Sequence, residues 1–589
     1  MKKNIFILSL LLSAIFSVLQ GQNVGEKDIN LSFNDFPQEK IFVHFNTSFL
    51  VSGENLFYKI YCLNANSNKL SNLSKIAYVE LINSDKSTVI KQKVFLKSGL
   101  GKGDFFINAS IPSGNYKLIV YTQWMRNNGE SAFFQSDITI INPFRANERL
   151  TVRGEKPKDS IHTQSVLVKD NIKSLINPVK NEFVEVNTNK KIFGKRNKVL
   201  VSIKSLKSKY SYGNYSVSVK KVDDVNAPVK QNSKLFRSNN HFKTSLKSSI
   251  FFLPELRGEI ISGTVYNIKE ANTTVPNVKV SLSIPGENEV FKIATTNNSG
   301  VFYFNVDEVY QSQNALIQVI DSKKDDFKVE INTYELPNYN DFVFNDFKLT
   351  SALNDLILKK SILNQIENEY LSVKNDSILP IAFYSPSYKI EDKKYVLNNY
   401  TKFKTLKETI TEIVDAAYIL QKDGEHTFHV KFYNNISNSD LLPLVLIDGI
   451  LIQNHNSIID YSAQNINSIS IVRDKYVYGG LLFNGIISIE TVKGDYNTTI
   501  KSDYFKRLEL NKPEIEKKYF KQEYTGSEYT RIPDFRNQLL WHPNLTLNSE
   551  ENQISFYTSD NTGDYEISVE GFTDKGEPVT VKDYIKVEN

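Results

Sequence analysis

A single cysteine in 589 residues, Cys62, excludes an intrachain disulfide, so stability must come from burial and backbone pairing. Cys62 lies in the apolar segment LFYKIYCLN and reads as a buried structural thiol rather than a reactive one. Long apolar runs are absent after Leu19, and a spanning helix needs roughly 18 or more such residues, so none is expected in the mature chain. Blocks of one charge are absent too. The 71 basic and 66 acidic residues leave a net +5, with no basic stretch suited to nucleic acid or to an anionic membrane surface.

The signatures of catalysis are missing. There is no G-x-S-x-G elbow, no phosphate-cradling glycine loop, no dinucleotide fingerprint and no H-E-x-x-H. His426 and His429 stand three apart in HTFHVKF, where alternation predicts a strand. On a strand, positions i and i+3 face opposite sides and cannot share a metal. His44, His455 and His542 are isolated, and the acidic pairs Asp325–Asp326 and Glu550–Glu551 fall where solvated turns are expected. No catalytic residue, metal site or cofactor is expected.

What is present is β-pattern. The chain is 40% apolar and 12% aromatic, enough for packed cores, and at about 150 residues per domain its length suggests roughly four. Lys2 and Lys3 precede the apolar stretch Ile5 to Leu19, the layout of a secretory leader cleaved near Gly21. No cysteine follows it, so no lipid anchor is expected. Alternating segments, including KIFVHFNTSFLVSGENLFYKIYCL and GNYKLIVYTQWM, predict a β-sandwich over 22–150, followed by a polar linker. Weaker strands predict a second sandwich over 160–250, with Ala227–Ser249 as loop. GEIISGTVYN, PNVKVSLSI, NNSGVFYFNV and ALIQVID predict a small sandwich of about seven strands over 256–340. Helical spacing without Gly or Pro predicts a linking helix over 350–375 and another at FKTLKETITEIVDAAYILQ. A mixed α/β unit follows over 380–495, then a last β-domain over 525–589. In the mixed unit, PLVLIDGILIQ reads as two strands folded on an Asp448-Gly449 turn. Gly479, Gly480, Gly485 and Gly494 permit further reversals, with Asn484 beside Gly485.

Several stretches resemble known modules. FPQEKIFVHFNTSFLVSGENLFYKIY, with Gly53-Glu54 at a turn, resembles the opening of the macroglobulin-type MG2 sandwich. The closing IPDFRNQLLWHPNLTL…ISFYTSDNTGDYEISVEGF is similar to a later macroglobulin segment. LRGEIISGTVYN with Thr296, Gly300, Phe302 and Phe304 resembles the carboxypeptidase regulatory-like domain. PLVLIDGILI with INSISIVRDKYVYGGLLFNGIISIETVKG resembles the plug of TonB-dependent receptors, although KYVYGGLLF replaces that plug's usual small-residue run. Together these are similar to a family of exported Bacteroidota proteins. A macroglobulin trap's thioester would need a C-x-E-Q segment, and Cys62 is followed by LNA, so that chemistry is not expected. Nor is a receptor barrel. About 95 residues follow Gly494, whereas 22 strands of roughly 9–11 residues each need more than about 200.

The resemblance implies a mainly β, multidomain, non-catalytic protein in the periplasm, at the outer membrane or on the cell surface. The expected partner is an outer-membrane β-barrel protein or an envelope protein complex. Asp448, Gly449, Gly479, Gly480, Asn484 and Gly485 are the expected docking or structural residues. The competing expectation is a glycan- or peptide-binding accessory to SusC-type nutrient uptake, with ligand aromatics from Trp124 or Trp541 if these are not core residues.

Overall fold

The computed structural model describes residues 36–145, 177–239, 251–380, 392–433, 441–496, 501–524 and 531–589, less positions 224, 226, 287, 334–335, 346–348 and 351–352. The expected leader at 1–21 and the linker at 146–160 lie outside the described residues. Strands dominate, arranged in several small sheets, and no sheet closes into a barrel among the described residues. No described helix is long and apolar enough to cross a membrane.

The first sandwich stacks a three-stranded sheet (Glu39–Phe45, Asn55–Asn64, Leu100–Phe106) on a five-stranded one (Phe49–Val51, Phe134–Ile141, Gly114–Tyr121, Ile76–Asn83, Thr88–Phe95). Their apolar faces share one core that includes Ile60, Leu81, Leu118 and Val120. Cys62 is fully buried there, and burial together with nearby Glu39 raises its thiol well above the usual range, so it stays protonated and inert. Alternation predicts one wet face per strand, yet every residue of Glu39–Phe45 is buried. The second face is covered by another module. His44 Nδ1 lies 2.6 Å from Ser216 Oγ, Tyr61 donates to the Glu570 carbonyl at 3.0 Å, and Phe42 meets Phe572 edge-on at 5.6 Å. Burial lowers the Lys59 ammonium to about 7, and its Nζ donates to Asn544 Oδ1 at 2.7 Å.

That covering module differs from the sequence reading, which separates 160–250 from 525–589. Strand Gly213–Lys221 lies between Gln538–Leu547 and Gly563–Thr573, and Lys198–Ser205 lies between Val184–Thr188 and Glu551–Tyr557. The two segments build one closing sandwich, whose core joins Val199, Val201 and Val217 to Leu545, Phe556 and Val569. Either segment alone would expose an apolar face and open strand edges, and interleaving covers both. The stretch read as loop contains helix Ser233–Asn239, with Phe236 packed on Phe42 at 5.4 Å.

The middle sandwich draws seven strands from Glu259–Ile331 and an eighth, Phe505–Glu509, from beyond the mixed unit. Phe505–Glu509 extends the sheet formed by Val290–Thr295, Lys279–Ile284 and Asn314–Ile320. The linking helix runs Asn354–Glu369. In the mixed unit, Lys393–Val396, Ile466–Val472, Ile486–Thr491, Leu444–Ile447 and Ile450–Leu451 form one sheet. Its helix is shorter than expected, Leu406–Glu412, opened by a capping box of Thr405 and Glu408. The remaining apolar residues form strand Ala417–Lys422, paired with Glu425–Val430 across Asp423-Gly424. Both turn residues have positive φ, 53° and 84°, so this Asp-Gly hairpin ends the helical reading.

A buried polar junction joins the first and middle sandwiches. Tyr78 donates to Glu255 Oε1 at 2.9 Å, Lys93 pairs with Glu259, and Tyr310 donates to Glu259 Oε2 at 2.5 Å. Burial, and then nearby Glu259, raises the Glu255 carboxyl to about 8. A carboxyl raised in the fold favours the protonated state. Its contribution is therefore complete below the ordinary value near 4.5 and is lost as pH climbs through about 8. Lys59, lowered to about 7, gains stability over the same range, so the Glu255 contribution is read as a difference. By urea titration, the unfolding free energy of the wild type minus that of Glu255→Gln should fall by roughly 2–3 kcal/mol from pH 6 to 9, and a difference that does not change with pH contradicts the assignment.

Candidate functional site

Asp448 and Gly449 form the tight turn between Leu444–Ile447 and Ile450–Leu451, with φ of 48° and 79°. Two positive φ values suit a primed turn, whose twist matches that of the flanking strands. Asp448 also fastens the turn to the neighbouring parallel strand Ile486–Thr491. Its Oδ1 accepts from Thr491 N at 2.8 Å, and its Oδ2 accepts from Thr491 Oγ1 at 2.6 Å and Tyr496 N at 3.0 Å. It is 4% exposed, so this carboxylate is an internal staple with its acceptors engaged, and it faces no solvent partner.

Gly449 and Gly479 sit where the mixed unit presses on the middle sandwich. A Cβ on Gly449 would lie 2.7 Å from Glu289 Cβ, and one on Gly479 would lie 2.3 Å from Ile293 Cβ. Lys279 donates to the Gly479 carbonyl at 2.8 Å, and its Nζ would stand 2.9 Å from a Cβ on Gly480. Asn484 and Gly485 lie one step away, inside the mixed unit. The Asn484 amide donates to the Leu442 carbonyl, and the Gly485 carbonyl accepts from Leu444 N, both at 3.0 Å. The structure thus brings Gly449, Gly479 and Gly480 to one internal contact, while Asp448, Asn484 and Gly485 hold the unit's own strands.

That contact covers the outer face of the middle sheet. Phe291, Leu444, Leu446, Leu451 and Ile486 form one buried apolar cluster across it. Tyr478 stacks on Phe291 at 5.6 Å and donates to its carbonyl at 2.5 Å. Leu451 N donates to Ser283 Oγ at 3.3 Å, Gln318 Nε2 donates to the Leu451 carbonyl at 3.0 Å, and Gln453 donates to the Val319 carbonyl at 3.0 Å. Sequence reasoning missed Ser283, Gln318 and Tyr478. An isolated alternating strand gives no sign that its polar face will be covered.

The unit reaches that contact with a two-stranded hairpin, Tyr476–Tyr478 and Leu481–Phe483, turning on Gly479 and Gly480. Tyr476, Tyr478 and Phe483 pack inward, while Val477 and Leu482, paired across the strands, are 67% and 45% exposed. Among the described residues neither strand has a further neighbour.

Three histidines of the mixed unit make structural contacts. His426 and His429 lie on strand Glu425–Val430 as expected, His426 against Asn456 and His429 stacked on Tyr418. His455 Nδ1 accepts from Phe428 N at 3.0 Å, and burial, then His429, lowers its imidazole to about 4. Among the described residues no three His, Cys, Asp or Glu side chains converge as a metal would require.

No family model and no curated protein matches the chain. Among solved structures, a Salmonella alpha-2-macroglobulin mutant aligns over 97% of this chain at 9% identity with a TM-score of 0.24. Native Escherichia coli alpha-2-macroglobulin aligns over 93% at 9% identity with a TM-score of 0.23. Dimeric latent PorU from Porphyromonas gingivalis aligns over 94% at 8% identity with a TM-score of 0.12, covering 34% of its own chain. This chain spans about 40% of the length of both macroglobulins. These likenesses are distant, and none bears on activity or partners.

The close approach at Gly479 has a measurable consequence. Gly479 and Gly494 have similar φ, 58° and 62°, but nothing lies within 4 Å of a Cβ on Gly494. Alanine at either carries the left-handed strain, and only Gly479→Ala also overpacks the contact. Urea unfolding should find Gly479→Ala less stable than Gly494→Ala by about 1–3 kcal/mol. Equal losses would mean that the contact is loose.

Proposed function

We propose that this chain is a non-catalytic binding and scaffold protein of the bacterial cell envelope, exported and held at the outer membrane. Its mixed unit, which resembles a receptor plug, docks on an outer-membrane β-barrel protein or an envelope protein complex. The observation that carries this reading is the hairpin Tyr476–Phe483. It presents an apolar pair, Val477 and Leu482, outward on a two-stranded hairpin. An exposed apolar pair on a fixed backbone suits a protein contact that removes it from water. Tyr478 anchors the hairpin's turn end on Phe291, so little ordering entropy opposes association.

The Asp448-Gly449 end contributes differently from the role the resemblance implies. It is buried against the middle sandwich, so it orients the unit rather than meeting the partner. Docking falls to KYVYGGLLF, the stretch in which the sequence departs from receptor plugs. The sandwiches act as a rigid frame that sets the hairpin's distance and angle.

Gentle detergent extraction of native outer membranes, followed by capture of the chain, should recover a β-barrel partner. The double variant Val477→Lys and Leu482→Lys should lower recovery about tenfold or more, because it charges an apolar contact while leaving an exposed site folded. A monomer that captures no envelope protein, or undiminished recovery by the folded variant, overturns the proposal.

A further inference from the structure

In the closing sandwich, strand Gly213–Lys221 ends beside the turn that opens Gly563–Thr573. There Lys221 Nζ donates to Asn561 Oδ1 at 2.5 Å, across 340 positions of sequence. We infer that these two side chains join in an intramolecular isopeptide bond, Lys221 Nζ to Asn561 Cγ, with release of ammonia. The amide is held for attack. Asn561 is 6% exposed, its Nδ2 donates to Asn537 Oδ1 at 2.8 Å, and its backbone carbonyl accepts from the Tyr565 hydroxyl at 2.7 Å. Asn537 holds the other partner as well, since its carbonyl accepts from Lys221 N at 2.8 Å. The lysine stem has room kept for it. A Cβ on Gly563 would lie 3.0 Å from Lys221 Cε, and φ there is 134°, so glycine suits the position on both counts.

An amine attacks a carbonyl carbon only when it is neutral. The nearby carboxylate, Asp223, is engaged by Lys360 at 2.8 Å and by Lys220 at 3.5 Å, which leaves Lys221 on its asparagine. Burial, and then the charge of Lys359, lowers the Lys221 ammonium to about 8, so part of the population is neutral at neutral pH. Attack forms the Nζ–Cγ bond and moves the carbonyl pair onto Oδ1. Asp223, whose charge acts on Lys221, stabilises the positive charge that Nζ gains at this point. One proton then passes from Nζ to Nδ2, the Cγ–Nδ2 bond breaks, and that nitrogen leaves as ammonia. No oxidant or cofactor enters. Fixed contact replaces a bimolecular encounter, so a weak electrophile can react once over the life of the chain. Lys59 also meets an asparagine, Asn544, at 2.7 Å, but that amide is exposed and open to water. A chain with one cysteine has no disulfide to close its split sandwich. The Lys221–Asn561 bond ties the segment before the middle modules to the segment after them.

Mass spectrometry of the full mature chain, purified and held at about pH 8, tests the bond directly. Tryptic digestion should yield one branched peptide joining positions 221 and 561, with no cleavage after residue 221 in the linked chains. The intact mass should be lower by roughly 17 Da, one ammonia, than in either Lys221→Arg or Asn561→Ala once the substitution itself is allowed for. Lys221→Arg keeps a cation beside Asn561 and should show an unchanged circular dichroism spectrum, so its lost branch reports chemistry rather than folding. Three results each overturn the inference: only linear peptides at 221 and 561 in the wild type, a branch at Lys59 and Asn544 alone, or a mass loss that persists in Lys221→Arg.

Discussion

The molecule depends on a sheet buried on both faces. The strands Lys279–Ile284, Val290–Thr295 and Asn314–Ile320 cover the middle sandwich's own core with one face and lie under the mixed unit with the other. Ser281, Ser283 and Gln318 on that outer face are at most 1% exposed. Polar groups buried in this way must be matched, since an unmatched one costs about 1–3 kcal/mol. The Leu451 backbone and Gln453 supply the match to Ser283 and Gln318. Separating the two units would strip those bonds and expose Phe291, Leu444 and Leu446 together. One relative orientation is thereby fixed, and the positions of the other surfaces follow from it. The chain leaves the mixed unit to add Phe505–Glu509 to the same sheet. It then pairs Lys517–Lys518 with Ser377–Ile378 and completes the closing sandwich.

Local features were legible in the sequence where a local rule governs them. The Asp448-Gly449 turn, the strand carrying His426 and His429, and helix Asn354–Glu369 all follow from turn chemistry or periodicity within a few residues. Asp423-Gly424 obeys the same turn rule, but the helical spacing of Leu406, Ile410 and Ile413 masks it upstream. Helix propensity alone cannot say where a helix gives way to a strand. What was hidden is long-range. Gly213–Lys221 pairs with strands more than 300 residues away, and nothing within either segment records the register. The buried second face of Glu39–Phe45 is hidden for the same reason. His44 and Lys40 read as solvent-facing until another module covers them.

The candidate site shows the same division. Sequence identified glycines that permit sharp reversals, and the structure gives Gly449 and Gly479 a further requirement, because another backbone or side chain occupies the space a Cβ would need. The neighbouring Val477 and Leu482 follow from simple alternation around Gly479-Gly480, yet their importance emerges only once Tyr478 is seen anchored beneath them. Trp124 and Trp541, whose pattern is that of core residues, are both buried.

The central claim is that the mixed unit faces inward through Tyr478, on Phe291 of the middle sandwich, and outward through Val477 and Leu482 of the same hairpin. Photo-crosslinking in intact envelopes tests both halves at once. A photoreactive residue at position 477 should capture a separate outer-membrane β-barrel protein or envelope complex member, while one at position 291 should crosslink only within the chain, to the 476–478 strand. Capture of an external protein from position 291, with none from position 477, would contradict the account.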